Sequence, residues 1–121
     1  MQGLHLTADL FGCGDPANLM RDGAALCALC EQLARDAGLT VVGRQFHAFA
    51  PAGDAGVTGV LLLAESHLAL HTWPELRAVT LDVFVCNFGT DNSHKAHRLV
   101  DALVTRFEPE RTQRQQLARG V

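Results

Sequence analysis

An acid, a hydroxyl, two imidazoles and an indole fall within eleven residues of this chain, Glu65-Ser66-His67-Leu68-Ala69-Leu70-His71-Thr72-Trp73-Pro74-Glu75. The segment follows an apolar run at residues 59–64. Side chains of an extended strand alternate between its faces, so His67, Ala69, His71 and Trp73 share one side. Two imidazoles and an indole, with only a methyl between them, are costly on a face that is simply core. The pattern points to a site. A serine beside a glutamate at a strand end, taken alone, is a turn residue; the neighbouring histidines give it a different setting.

A metal centre is the first chemistry to weigh. His67 and His71 with Cys86 could supply zinc ligands, and His94 and His97 form an i, i+3 helical pair. The serine-centred segment accounts for His67 and His71 without an ion, and His94 and His97 fall on a separate helix, so no metal is expected. The four cysteines are Cys13, Cys27, Cys30 and Cys86. Cys27-Ala28-Leu29-Cys30 has the spacing of a redox or zinc half-site. It lies inside a helical pattern (Leu19, Leu26, Leu29, Leu33, Ala37) with no second CxxC, so these read as small thiols packed in a helix.

The elements that must position these residues follow from periodicity. Residues 3–11 alternate as a strand, with Leu4, Leu6, Ala8 and Leu10 opposite His5, Thr7, Asp9 and Phe11. Gly12 to Pro16 makes a turn, and Asp15 with Pro16 opens a helix that runs to about Ala37 and stops at Gly38. Strands follow at 40–49, 57–65, 67–73 and 78–86, with a loop at 51–56 rich in Gly, Ala and Pro. A loop at 87–92 leads to a helix from about Ser93 to Phe107, and residues 111–120 form a polar edge strand. This order predicts an α+β two-layer sandwich, a mainly antiparallel sheet with two helices on one face. Leu68, Leu70, Val79, Leu81, Val83 and Val85 face the helices. His67, His71, Trp73, Thr80, Asp82, Phe84 and Cys86 occupy the other face, too apolar for free water and too polar for plain core.

At 121 residues the chain has room for one core, hence a single domain, 1–121. A net charge of −3 offers no basic stripe for nucleic acid and mildly suits a cationic substrate. No apolar run reaches the roughly 18 residues that span a bilayer, and the first residues lack the basic and apolar regions of a signal peptide. A cytoplasmic protein is expected, with neither membrane nor nucleic-acid partners.

The run ESHLALHTWPE closely resembles the processing and active-site segment of the small prokaryotic S-adenosylmethionine decarboxylases. The likeness extends along nearly the whole chain. It takes in His5-Leu6-Thr7-Ala8-Asp9, Phe46-His47-Ala48-Phe49, a Gly- and Val-rich strand and Asp82-Val83-Phe84-Val85-Cys86, in the family's order. The resemblance implies a proenzyme that cuts itself between Glu65 and Ser66 into chains 1–65 and 66–121. The Ser66 hydroxyl would attack the Glu65 carbonyl, and the resulting ester would eliminate to dehydroalanine. Hydrolysis then leaves a pyruvoyl group, which forms a Schiff base with the substrate amine and draws electrons from the breaking carboxylate bond.

By the same resemblance, His71 is the processing proton acceptor and Cys86 the proton donor in decarboxylation. Thr58 stands where the family commonly has a serine that supports processing. Phe49 and His71 would sandwich adenine, Glu75 would bind the ribose hydroxyls, and Trp73 would wall the pocket. Asp9 stands where an acid is usual, with a shorter side chain. The implied assembly is a homodimer, an αββα sandwich with its sites near the subunit interface. The implied activity is decarboxylation of S-adenosylmethionine, whose product donates the aminopropyl group of spermidine. An arginine or ornithine decarboxylase on the same scaffold would share the cleavage residues. A non-catalytic regulator of a decarboxylase would not need Ser66, His71 and Cys86 together.

Overall fold

The computed structural model describes residues 1–49 and 55–120. Of the loop expected at 51–56, only Ala55 and Gly56 lie among the described residues. Six strands form one sheet: β1 (Gln2–Phe11), β2 (Val41–Ala48), β3 (Val57–Leu63), β4 (Ser66–Trp73), β5 (Ala78–Cys86) and β6 (Arg111–Gly120). Their spatial order is β2-β3-β4-β5-β1-β6, and every neighbouring pair is antiparallel. Two helices, α1 (Gly23–Asp36) and α2 (Ser93–Phe107), pack on one face. The α+β sandwich read from the sequence is the fold observed, including the polar edge strand β6.

Alternation decides which face the helices cover. Leu4, Leu6, Ala8 and Leu10 of β1 are buried, as are Leu68 and Leu70 of β4 and Val79, Leu81, Val83 and Val85 of β5. They meet Leu26, Cys30, Leu33 and Ala34 of α1 and Leu99, Val100, Leu103 and Phe107 of α2. Removing this apolar surface from water is the main stabilising term. Among the described residues, no layer covers the opposite face. It carries His5, His67, Ala69, His71, Trp73, Thr80, Asp82, Phe84 and Cys86, all partly or fully exposed.

The first helix begins later than expected. Asp15 and Pro16 open only a short 3-10 turn, Pro16–Asn18, because Ala17 (φ 56°) and Asn18 (φ 59°) take left-handed conformations that cannot continue a right-handed helix. The Asp15 carboxylate instead accepts the Met20 amide at 2.9 Å. The α1 cap is Asp22, which accepts the Ala25 amide at 3.0 Å. At the other end Gly38 has φ 93°, the left-handed position that a C-terminal glycine fills.

The strand expected at 57–65 ends at Leu63. Leu63 pairs with Ser66, so Ala64 and Glu65 form the two-residue turn of a β3–β4 hairpin. The Glu65–Ser66 peptide therefore sits at a sharp corner. Among the described residues no helix is long and apolar enough to cross a membrane.

Candidate active site

The turn before Ser66 is held from two sides, by Cys86 and by Thr40. The Cys86 amide donates to the Glu65 carbonyl oxygen at 2.7 Å. A Glu65 carboxylate oxygen accepts the Thr40 amide at 3.0 Å, and the Ala64 amide donates to the Thr40 carbonyl at 2.8 Å. Ser66 has φ 154°, just inside the positive range that L-residues rarely occupy. A bent peptide, its carbonyl already facing an N–H donor, suits nucleophilic attack on that carbonyl by the adjacent hydroxyl.

Cys86 shares this end of the sheet. Its neighbourhood is an open cleft of about 370 Å³ lined by Ala64, Glu65, Cys86, Phe88, Thr90, Asn92 and Lys95. The Asn92 side-chain amide donates to the Cys86 carbonyl at 2.8 Å, tying the strand end to the start of α2. Cys86 is partly buried, so its thiol can meet a ligand at the sheet end.

A second group gathers at the opposite end of the same sheet. Thr58 pairs directly across from His71, and the Thr58 hydroxyl lies 3.0 Å from His71 Nδ1. Trp73 stands two residues on, its ring centroid 6.5 Å from that of His71 and its indole N–H donating to Thr80 Oγ1 at 3.4 Å. Phe49, 62% exposed, closes the end of β2, its ring edge-on to His47 at 4.7 Å. Glu75 follows, exposed, in the 3-10 turn Pro74–Leu76, whose Pro74 is buried.

Packing fixes the start of β3 in this group. Buried Thr72 accepts the Val57 amide at 2.8 Å and donates to the Met20 carbonyl at 2.6 Å. A Cβ on Gly56 would fall 2.0 Å from the Thr72 carbonyl oxygen, so only glycine permits the approach that sets Thr58 beside His71.

The residues expected to act together thus form two clusters. Glu65, Ser66 and Cys86 lie at one end; Phe49, Thr58, His71, Trp73 and Glu75 lie at the other. Ser66 and His71 are five residues apart on β4, about 17 Å at a strand's rise, and no side chain spans that gap within one chain. Asp9 stands at the His71 end too, one strand further across: it lies on β1 opposite Thr80 of β5, and Thr80 pairs on its other side with His71.

Between the clusters the open face carries a network that sequence reasoning did not find. Asp82 Oδ2 lies 3.0 Å from His5 Nε2 and 3.1 Å from His67 Nε2. The three ligand-type atoms lie within 4.8 Å of one another, close enough to consider a metal. Arg119 Nη1 lies 3.3 Å from His5 Nδ1, and a guanidinium can only donate. Nδ1 therefore accepts, Nε2 carries the proton, and that proton goes to Asp82. This is a hydrogen-bonded triad. His67, His71 and Cys86, the zinc set considered from sequence, do not converge. His5 and Asp82 lie 77 residues apart, so only strand register brings them together.

The CxxC pair is inert packing on the Cys30 side. Cys30 is buried, and desolvation with the nearby Cys27 pushes its thiol up to about 12. Burial also raises the Cys13 thiol, partly opposed by the Arg77 guanidinium.

The antiparallel sheet with two helices on one face is an α+β sandwich, and it sets Ser66 at a hairpin corner next to a carbonyl that accepts an N–H, a candidate catalytic site. Residues 4–120 match the family model described as S-adenosylmethionine decarboxylase. A relative from Aquifex aeolicus, an S-adenosylmethionine decarboxylase proenzyme by name, is 38% identical over 98% of this chain and 82% of its own. A proenzyme of the same name from Archaeoglobus fulgidus is 36% identical over 98% of this chain and 97% of its own. The crystal structure of the Aquifex aeolicus adenosylmethionine decarboxylase superposes with a TM-score of 0.84 at 36% identity, covering 98% of this chain and 91% of that one. The chain belongs to the S-adenosylmethionine decarboxylase family.

Proposed function

We propose that the protein is a self-processing decarboxylase of S-adenosylmethionine, cut between Glu65 and Ser66 into chains 1–65 and 66–121, and that it supplies the aminopropyl donor for spermidine synthesis. The observation that carries the reading is the 2.7 Å contact from the Cys86 amide to the Glu65 carbonyl, at a hairpin corner where Ser66 is the next residue. Attack by the Ser66 hydroxyl turns that carbonyl oxygen into an oxyanion, and the donor that stabilises it is already in position. The pyruvoyl group formed from Ser66 supplies an electron sink for loss of the substrate carboxylate. The Cys86 thiol returns a proton to the substrate carbon. Phe49 and His71 offer flat faces for adenine, Trp73 walls that space, and the Glu75 carboxylate accepts two ribose hydroxyls.

The separation of the two clusters supports a homodimer. Two sheets stacked through their uncovered faces about a two-fold axis bring the Ser66 end of one subunit to the His71 end of the other. Each site then takes Glu65, Ser66 and Cys86 from one chain. The second chain contributes Phe49, Thr58, His71, Trp73 and Glu75. Sheet faces pack about 10 Å apart, within reach of side chains from both. Leu62, Phe49, Trp73 and Leu117, each more than 40% exposed, are the apolar residues such a partner covers. In this assembly His71 of the partner subunit takes the proton during processing, with Thr58 orienting its ring. A biosynthetic enzyme of this kind works in the cytoplasm.

Mass spectrometry and an activity assay test the reading together. The purified protein should separate under denaturing conditions into 1–65 and 66–121, the second blocked to Edman sequencing. It should release carbon dioxide from S-adenosylmethionine in preference to arginine or ornithine. Ser66→Ala should remain one chain without activity. Preference for arginine or ornithine would reassign the substrate, and an active, cleaved Ser66→Ala protein would overturn the mechanism.

A further inference from the structure

Lys95 is placed against the ordinary preferences of a helix. It stands in the first turn of α2, where the backbone dipole disfavours a cation, and that turn contains no acidic residue to offset it. The α2 cap, Asn92, makes no side-chain capping bond, and its side-chain NH2 donates to the Cys86 carbonyl. Lys95 is partly buried, and among the described residues no carboxylate pairs with it. The nearby Asp91 is exposed and directs its carboxylate to the Ser93 amide at 2.9 Å. The aliphatic stem of Lys95 lies over Gly38, and Lys95 lines the cleft together with Glu65 and Cys86. A lysine held unpaired in a cleft is placed to meet a further anion there, beyond the Glu65 carboxylate that already accepts the Thr40 amide.

Self-processing makes such an anion at the wall of this cleft. Once the Ser66 oxygen carries the Glu65 acyl group, elimination removes the proton from Ser66 Cα to a base. The Cβ–O bond breaks, its electron pair leaves on oxygen, and a carbon–carbon double bond forms within residue 66. The leaving group is the α-carboxylate of Glu65, a new negative charge beside a side chain that is itself acidic. We infer that Lys95 is the counter-ion for this leaving carboxylate, speeding elimination and then holding the new end of the 1–65 chain. The inference rests on the self-cleavage reading. It assigns Lys95 to the second step of processing, after the acyl shift that the Cys86 amide assists.

Time courses of full-length chain made by cell-free translation, quenched with and without hydroxylamine, test this. Hydroxylamine cuts the ester but not the peptide, and releases a 66–121 chain that begins with a readable serine. Lys95→Met keeps the stem and removes the charge. It should accumulate hydroxylamine-labile ester, with elimination slowed on the order of 100-fold, the scale of one lost charge-stabilising donor. Lys95→Arg should process within about tenfold of the parent, as expected where charge is what matters. Lys95→Gln carries the same expectation as the methionine variant if that one does not fold. Normal release of a blocked 66–121 chain by Lys95→Met would overturn the inference. So would a stall as hydroxylamine-resistant peptide, or a fully processed enzyme whose sole defect is a raised KM. A parent chain that never cleaves would instead refute the reading beneath it.

Discussion

The amide of Cys86 donates to the carbonyl of Glu65 across the end of the sheet, joining two residues expected to serve different steps. The bond exists because Ser66 lies opposite Val85 in the β4–β5 register, which brings the residue after Val85 to the turn before Ser66. One residue therefore offers two groups. Its backbone N–H faces the carbonyl that the proposed processing attacks, and its thiol is the proposed donor for the later proton transfer.

Those two roles should come apart on mutation. Cys86→Ala keeps the backbone donor, so the chain should still cleave at least in part. Turnover of the cleaved protein should fall on the order of 100- to 10,000-fold with the loss of the thiol. Single-turnover kinetics on the processed variant measure this, and undiminished turnover would move the proton donor elsewhere.

Mixed dimers should report the division of each site between two chains. Ser66→Ala and His71→Ala should each fail to process efficiently alone. Co-expressed, a mixed dimer regains one site in two, with Ser66 from the His71→Ala chain and His71 from the Ser66→Ala chain. Cleavage confined to the His71→Ala chains, read by mass, is the expected outcome. Complete absence of complementation in mixed dimers would place Ser66 and its base in one subunit.

Substrate contacts should be separable from processing. Phe49→Ala removes a stacking surface worth roughly 1–3 kcal/mol per base, and Glu75→Gln removes a charge-assisted acceptor. Both should raise KM for S-adenosylmethionine with less effect on cleavage. Arginine and ornithine carry neither adenine nor ribose, so steady-state constants for all three compounds give the contrast. Equal KM values for parent and variants would remove these residues from the binding site.

Alkaline pH should destabilise the fold through Cys30. Burial holds its thiol neutral to about 12, above the ordinary thiol range of the unfolded chain. Because the folded value is the higher one, the stabilisation is complete below the unfolded pKa and is lost as pH rises toward 12. Urea unfolding between pH 9 and 12, the window from the ordinary thiol value of 9.0 to the folded value of about 12, should show falling stability, and Cys30→Ala should show a shallower slope. An unchanged slope would assign the alkaline loss to other groups.

Much of this protein is determined locally. Period-two alternation in β1, β4 and β5 marks the face the helices cover, because one side of each strand must leave water. Gly38 stops the first helix for a reason internal to its own backbone. The segment from Glu65 to Glu75 carries the family resemblance in its side chains alone, and the family match agrees with it. Other features depend on what packs nearby. The left-handed Ala17 and Asn18 delay α1, although Asp15-Pro16 is a sound helix start by composition. Strand register is a property of pairs of segments, so the sequence could not tell that Leu63 meets Ser66, that His5 and His67 share Asp82, or that the Cys86 amide meets the Glu65 carbonyl. Nor could it reveal that Lys95 enters the cleft beside Glu65. The separation of Ser66 from His71 is the plainest case: within one short motif, they stand far apart because a strand extends about 3.3 Å with each residue.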